Sequence, residues 1–75
     1  LRNVAVALGN SGNFSAVDPL IDALSDHEPL IRAHVVWALG ELLGKKALPI
    51  LNKTLMNEEE DIVKNEINLV QRLYS

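Results

Sequence analysis

From Pro29 to Leu43 the chain reads P-L-I-R-A-H-V-V-W-A-L-G-E-L-L, its longest stretch of apolar residues at helical spacing. On a wheel of about 100° per residue, Ile31, Val35, Ala38, Leu39 and Leu42 make one broad apolar arc. Val36 and Leu43 extend it to a second side. Ala33 and Gly40 form a narrow face of small residues, where another backbone can approach closely. Only His34 and Glu41 make a polar arc, with Leu30 and Trp37 at its edge. A helix apolar on most sides must be covered on most sides, so this segment is predicted to be a central helix with neighbours on both flanks. With Arg32, His34 and Glu41 inside it, the run is too short and too polar to span a membrane.

The pattern recurs. Shifted against itself by 31 residues, the chain has ten identical pairs among 44: Val4/Val35, Ala7/Ala38, Leu8/Leu39, Gly9/Gly40, Ala16/Ala47, Leu20/Leu51, Leu24/Leu55, Glu28/Glu59, Ile31/Ile62 and Leu42/Leu73. Shifts of 30 and 32 give six and three. The matches need no gap and fall mostly on apolar or glycine positions. A fixed period between about 20 and 50 residues marks a stacked array of short units. The predicted fold is therefore all-α: a short α-solenoid of about five helices, in helix pairs with a period of 31.

Taken in order, Arg2 to Asn10 is the first helix, ended by the Gly9-Asn10-Ser11-Gly12 turn signal. Ser15 opens the second, with Asp18 as its capping-box partner and Pro19 in the first turn, where proline does least harm. Val17, Leu20 and Leu24 form its buried stripe. Asp26 is placed to cap the central helix, and Gly44 to end it. Lys45-Lys46 lead into a fourth helix carrying Leu48, Leu51 and Leu55. Asn57 then stands where Asp26 stood, with Glu60 as a second capping pair, and Ile62, Ile67, Val70 and Leu73 give the last helix its apolar face. That helix lacks the Ala-Leu-Gly of the earlier copies and reads as a degenerate closing copy. Repeat boundaries are expected near 1–25, 26–56 and 57–75.

Composition narrows the chemistry. The 75 residues hold no cysteine, carry a net charge of −3 and are 48% apolar, with one each of Phe, Tyr and Trp. Disulfides, thiolate metal sites and a cysteine nucleophile are excluded within this stretch, and a generally basic nucleic-acid surface is disfavoured. The chain opens on Leu1 with no basic-then-apolar leader, and is expected to be a piece of a longer protein. His27 and His34 lie apart, and no set of three or four convergent ligands is visible. No serine has a His–Asp arrangement near it. Catalytic and metal-ligating residues are therefore expected to be absent here.

What remains are surfaces. Equivalent positions line up along an array, so Asn3, His34 and Asn65 make one row, Asn10, Glu41 and Arg72 another, and Val6, Trp37 and Asn68 lie between them. Such a ladder serves either hydrogen bonding between helices, with Trp37 filling a groove, or recognition of an extended partner. Arg2 and Arg32 occupy the first turns of successive helices, and Lys45, Lys46 and Lys53 follow. These are either ordinary surface charge or a phosphate-gripping edge, from which the acidic run Glu58–Asp61 would have to lie away. That run reads as a solvated helix start, favoured by the helix dipole.

The copies resemble HEAT-type repeats of the short kind containing Ala-Leu-Gly. Within that class, Arg2-Asn3 followed by Ala7-Leu8-Gly9-Asn10-Ser11-Gly12 is similar to a stretch near the C-terminus of epoxyqueuosine reductases. Pro29 to Gly40, with its Arg-x-His-x-x-Trp core, resembles that family's second helix signature. The generic repeat accounts for Ala-Leu-Gly but not for Arg32, His34, Trp37 or the asparagines, which carry the resemblance. It reaches to about Leu55.

Members of that family are cytoplasmic oxidoreductases that use cobalamin and iron–sulfur clusters to form queuosine in the anticodon loop of certain tRNAs. The resemblance implies a non-catalytic helical-repeat tail of such an enzyme, with the cluster-binding cysteines and both cofactors elsewhere in the parent protein. Its implied partners are the tRNA anticodon region, through a weak, subsidiary contact, and the parent's catalytic domain. Arg2 and Arg32 would contact phosphate. Asn3 and His34 would hydrogen-bond RNA or the catalytic domain, and Trp37 would pack on a neighbouring repeat, on that domain, or on a base. The competing expectation is a protein-interaction scaffold with no nucleic-acid role. No membrane partner is expected.

Overall fold

The computed structural model describes residues 16–75. The first predicted helix, its glycine turn and the Ser15 cap, and with them Arg2 and Asn3, lie outside the described residues. Among the described residues four α-helices follow one another: α1 (Val17–Ala23), α2 (Pro29–Leu43), α3 (Leu48–Asn57) after a 3-10 turn over Gly44–Ala47, and α4 (Asp61–Tyr74). No strand occurs among the described residues. The 31-residue period is physical: α1 and α3 start at Val17 and Leu48, and α2 and α4 end at Leu43 and Tyr74.

The central segment is covered on most sides, as its pattern requires. Ala33, Val35, Val36, Ala38, Leu39, Gly40 and Leu42 are all buried. Its most extensive contact is with α4, and it also packs against α1 and the 3-10 turn. Leu39 and Val36 of α2, Leu51 of α3, and Val63, Ile67 and Val70 of α4 are the largest fully buried side chains. The small-residue face serves the close approach expected of it. A Cβ on Gly40 would stand 3.0 and 3.1 Å from the two γ-methyls of Val70, so α4 lies nearly against the α2 backbone.

Helix ends follow local chemistry, with two differences from expectation. Gly44 ends α2 at φ 57° and ψ −130°, a backbone region open to glycine and strained for other residues. Pro29 opens α2 and holds Glu28 before it in extended backbone (φ −84°, ψ 116°). Asp26 is not the helix cap: its Oδ1 accepts the Glu28 N–H at 2.9 Å, a turn that feeds the chain into the helix one step earlier. Nor does Asn57 cap α4: it is the last residue of α3, and Glu60 stands at the N-cap with no hydrogen bond from its side chain. In the link ahead of it, Glu58 Oε2 accepts the N–H groups of Glu59 and Glu60, both at 3.1 Å.

The face of α4 also differs. Val63, Ile67 and Val70 are buried and Tyr74 packs against the core, whereas Ile62 and Leu73 are 45% and 61% exposed. Both stripes are apolar at helical spacing, and burial goes to the one that meets Gly40 and α3. Gln71 Nε2 donates to Asn52 Oδ1 at 2.6 Å and joins α4 to α3 at the surface. Among the described residues no helix is long and apolar enough to cross a membrane.

Candidate functional site

Arg32 stands in the first turn of α2, and Glu58 opens the short link between α3 and α4. They meet in a two-pronged ion pair: Arg32 Nε donates to Glu58 Oε1 and Nη2 to Oε2, each at 2.9 Å. Arg32 Nη1 donates to the Asp26 carbonyl at 2.6 Å and the His27 carbonyl at 3.3 Å. The side chains are only 15% and 5% exposed. The hydrogen bond from Arg32 holds the Glu58 carboxyl below its ordinary pKa against the opposing effect of burial, and the two backbone N–H groups add to it. Reciprocally, the Glu58 hydrogen bond raises Arg32. Four hydrogen bonds thus occupy the guanidinium that the sequence motif marks for phosphate. The acidic run is not wholly solvated, and it does not lie away from Arg32, because its first member grips it.

The predicted ladder is placed as follows. His34, Trp37 and Glu41 are half-buried on α2, and their 31-residue equivalents on α4, Asn65, Asn68 and Arg72, are exposed. Asn65, Asn68 and Arg72, with Leu69, line one shallow depression of about 250 Å³, so three rungs share a surface. Arg2, Asn3, Val6 and Asn10 lie outside the described residues. Lys45 and Lys46 are exposed in the 3-10 turn, beyond the far end of α2 from Arg32. At about 1.5 Å of rise per residue, roughly 20 Å separates them from Arg32, so they do not form one basic edge with it.

A larger feature carried no sequence signal. An open groove of about 640 Å³ lies between α1 and α3. Its apolar part is Ile21 and Leu24 from α1 and its following turn and Ile50 from α3, all half-buried. Asp26, Lys53, Glu59, Glu60 and the Arg32–Glu58 pair make up its charged lining. It exists only because two helices one repeat apart are set side by side.

The iron–sulfur clusters that a resemblance to epoxyqueuosine reductases brings with it do not fit these residues. The chain has no cysteine to supply a cluster thiolate. Among the described residues no set of three His, Asp or Glu side chains is placed to hold a metal ion.

Comparison with known proteins follows the repeat. A family model described as HEAT repeats matches residues 1–70. The chain is 36% identical over 67 residues to an epoxyqueuosine reductase from Staphylococcus aureus, covering 88% of this chain and 17% of that protein. It is 37% identical over 65 residues to a phycocyanobilin lyase subunit alpha from a Picosynechococcus species, covering 87% and 24%. It is 41% identical over 54 residues to a deoxyhypusine hydroxylase from Arabidopsis thaliana, covering 72% and 17%. The chain spans less than a third of the length of the relatives it matches. No solved structure matches it significantly.

Proposed function

The chain belongs to the HEAT-repeat family, and from that premise we propose that it is the non-catalytic helical-repeat part of an epoxyqueuosine-reductase-like enzyme. Its task is to help hold and orient tRNA during queuosine formation in the cytoplasm. The observation that carries this reading is the Arg-x-His-x-x-Trp segment within α2, whose rungs continue onto α4 as the exposed Asn65, Asn68 and Arg72. Exposed amide and guanidinium groups in a row suit hydrogen bonding to single-stranded bases and backbone. Similarity to epoxyqueuosine reductases from Staphylococcus aureus and Salmonella typhimurium supports the assignment of the parent. Cobalamin, the clusters and the oxidoreductase chemistry belong to other parts of such a protein. The net charge of −3 and the engagement of Arg32 by Glu58 make this a subsidiary contact, with most of the affinity elsewhere.

The test is a titration of the chain with an anticodon stem-loop bearing a G-U-N anticodon, read by amide NMR shifts at low and moderate salt. Shifts at Arg2, Asn3, His34, Trp37, Asn65, Asn68 and Arg72 that fade as salt rises are expected. Absence of shifts at low salt overturns the RNA contact and leaves the second reading, a protein-interaction scaffold. That alternative is favoured by one observation: the larger concave surface is acidic and partly apolar, not basic.

A further inference from the structure

The groove between α1 and α3 shares no residue with the ladder. Its half-buried aliphatic side chains, Ile21, Leu24 and Ile50, leave apolar surface partly in water. Burying such surface is favourable for any partner that reaches it. Its charges are lopsided. Asp26, Glu58, Glu59 and Glu60 face only Arg32 and Lys53, a balance of 4 − 2, or two negative charges in excess. Arg32 is consumed by Glu58, so Lys53 alone opposes Asp26, Glu59 and Glu60. The C-terminal end of α3 at Asn57 and the N-terminal end of α4 at Asp61 both lie beside this groove, so their opposite partial charges offset and the side chains set the balance. The wall is firm where the charge is densest, because Glu58 is fixed by Arg32 and by the backbone of Glu59 and Glu60.

We propose that this groove is a docking site for a peptide segment that sets aliphatic side chains beside lysine or arginine. The aliphatic groups lie against Ile21, Leu24 and Ile50, and the cations face Asp26, Glu59 and Glu60. A phosphate backbone or an acidic peptide would meet like charge here, which is why a cationic segment is the occupant and why this surface is separate from the RNA contact proposed above. Volume is adequate: small-ligand clefts run to about 300–1,000 Å³.

The experiment uses the whole chain and a fluorescein-labelled, end-capped peptide of alternating leucine and lysine. Its controls carry glutamate for lysine, or serine for leucine. Anisotropy at low salt gives affinity, and amide NMR shifts locate the contact. Expected are binding of the leucine–lysine peptide with shifts at Leu24, Ile50, Lys53 and Thr54, and no binding of the glutamate version. The E59K/E60K double variant should bind roughly tenfold more weakly, and Lys53→Glu several-fold more tightly. All three positions are exposed, so the variants fold, which circular dichroism checks. The opposite effects of the two charge changes separate a specific rim from lost structure. The proposal is overturned if the leucine–lysine peptide does not bind. It is equally overturned if the serine version binds as well, which would mean charge attraction without the groove, or if the shifts fall on the exposed face of α4 instead. RNA shifts on the ladder are read in the separate titration, so either result can fail without the other.

Discussion

Arg32 and Glu58, 26 positions apart, are joined by two parallel N–H···O bonds of 2.9 Å, and this pair ties the start of α2 to the link that launches α4. Glu58 accepts four N–H groups in all, two from Arg32 and two from the backbone of Glu59 and Glu60. Removing one partner of a well-shielded, two-pronged pair leaves the other charge unmatched. Glu58→Ala is therefore expected to lower stability by about 2–3 kcal/mol. In a domain of this size that is a fall in Tm on the order of 10 °C or more. Arg32→Lys keeps the charge but loses the fork, and should fall between the parent and Glu58→Ala. Thermal melts of E58A, R32A and the double variant check this: the double should lose clearly less than the sum. Additive losses, or an E58A melt within a degree or two of the parent, would sink the idea.

The same pair sets an acid response. Glu58 has a folded pKa below its unfolded value. Its contribution is fully present above the unfolded value, near 4.3 for an ordinary glutamate, and is lost as pH falls through the folded value. Arg32 stays protonated throughout this range, so its raised pKa adds no step. Urea unfolding from pH 7 to pH 2.5 should show a constant gap between the parent and Glu58→Gln down to about pH 5. Below that the gap should close. A gap that stays constant to the lowest pH would contradict the assignment.

Gly40 should be intolerant of a methyl group for a reason that can be isolated. Alanine in a helix interior is ordinarily better than glycine by about 1 kcal/mol, yet a Cβ here would press on both γ-methyls of Val70 at 3.0–3.1 Å. Val70 is 1% exposed and branched at Cβ, so it cannot swing aside cheaply. Gly40→Ala is expected to destabilise the parent. In a Val70→Ala background, where that contact is gone, the same change should stabilise. The sign reversal in a double-mutant cycle is the readout, and the same sign in both backgrounds would count against the close approach.

The two apolar stripes of α4 should differ sharply in cost. Ile67 is fully buried, and Leu73 is 61% exposed. Ile67→Ala should cost about 2–4 kcal/mol, and Leu73→Ala well under 1 kcal/mol. Comparable losses at the two sites in denaturant titrations would contradict the exposure of the Ile62–Leu73 stripe.

Several features were settled by residues close together in the chain. The repeat itself, the all-helical fold, Gly44 as a stop and the start of α3 one period after α1 all follow from spacing and turn chemistry. Helix periodicity, proline and glycine act over a few neighbouring positions, so a linear reading captures them. The enclosure of α2 was legible too, because a helix with apolar residues on nearly every side has no stable exposed arrangement. Ala33 and Gly40 announced the close approach, though nothing in the chain order named Val70 as the neighbour.

Other features exist only once the helices are set against one another. Asp26 and Asn57 have the right residue types for caps, yet Glu28 and Glu60 stand at the two helix starts, and Glu58, oriented by Arg32, holds the link before α4. The motif singles out Arg32, and nothing in it points to Glu58, because a salt bridge across 26 positions has no periodic trace. Ile62 and Leu73 match Ile31 and Leu42 in identity, yet Leu42 is 7% exposed and Leu73 is 61%. Burial depends on what stands opposite, not on the residue itself. The groove between α1 and α3 belongs to neither helix alone. Among the described residues, the sequence by itself determined which segments are helical and that they stack with a period of 31. Tertiary packing decided which stripe of the last helix is covered, which carboxylate meets Arg32 and where a concave surface opens, because each depends on side chains brought together from distant positions.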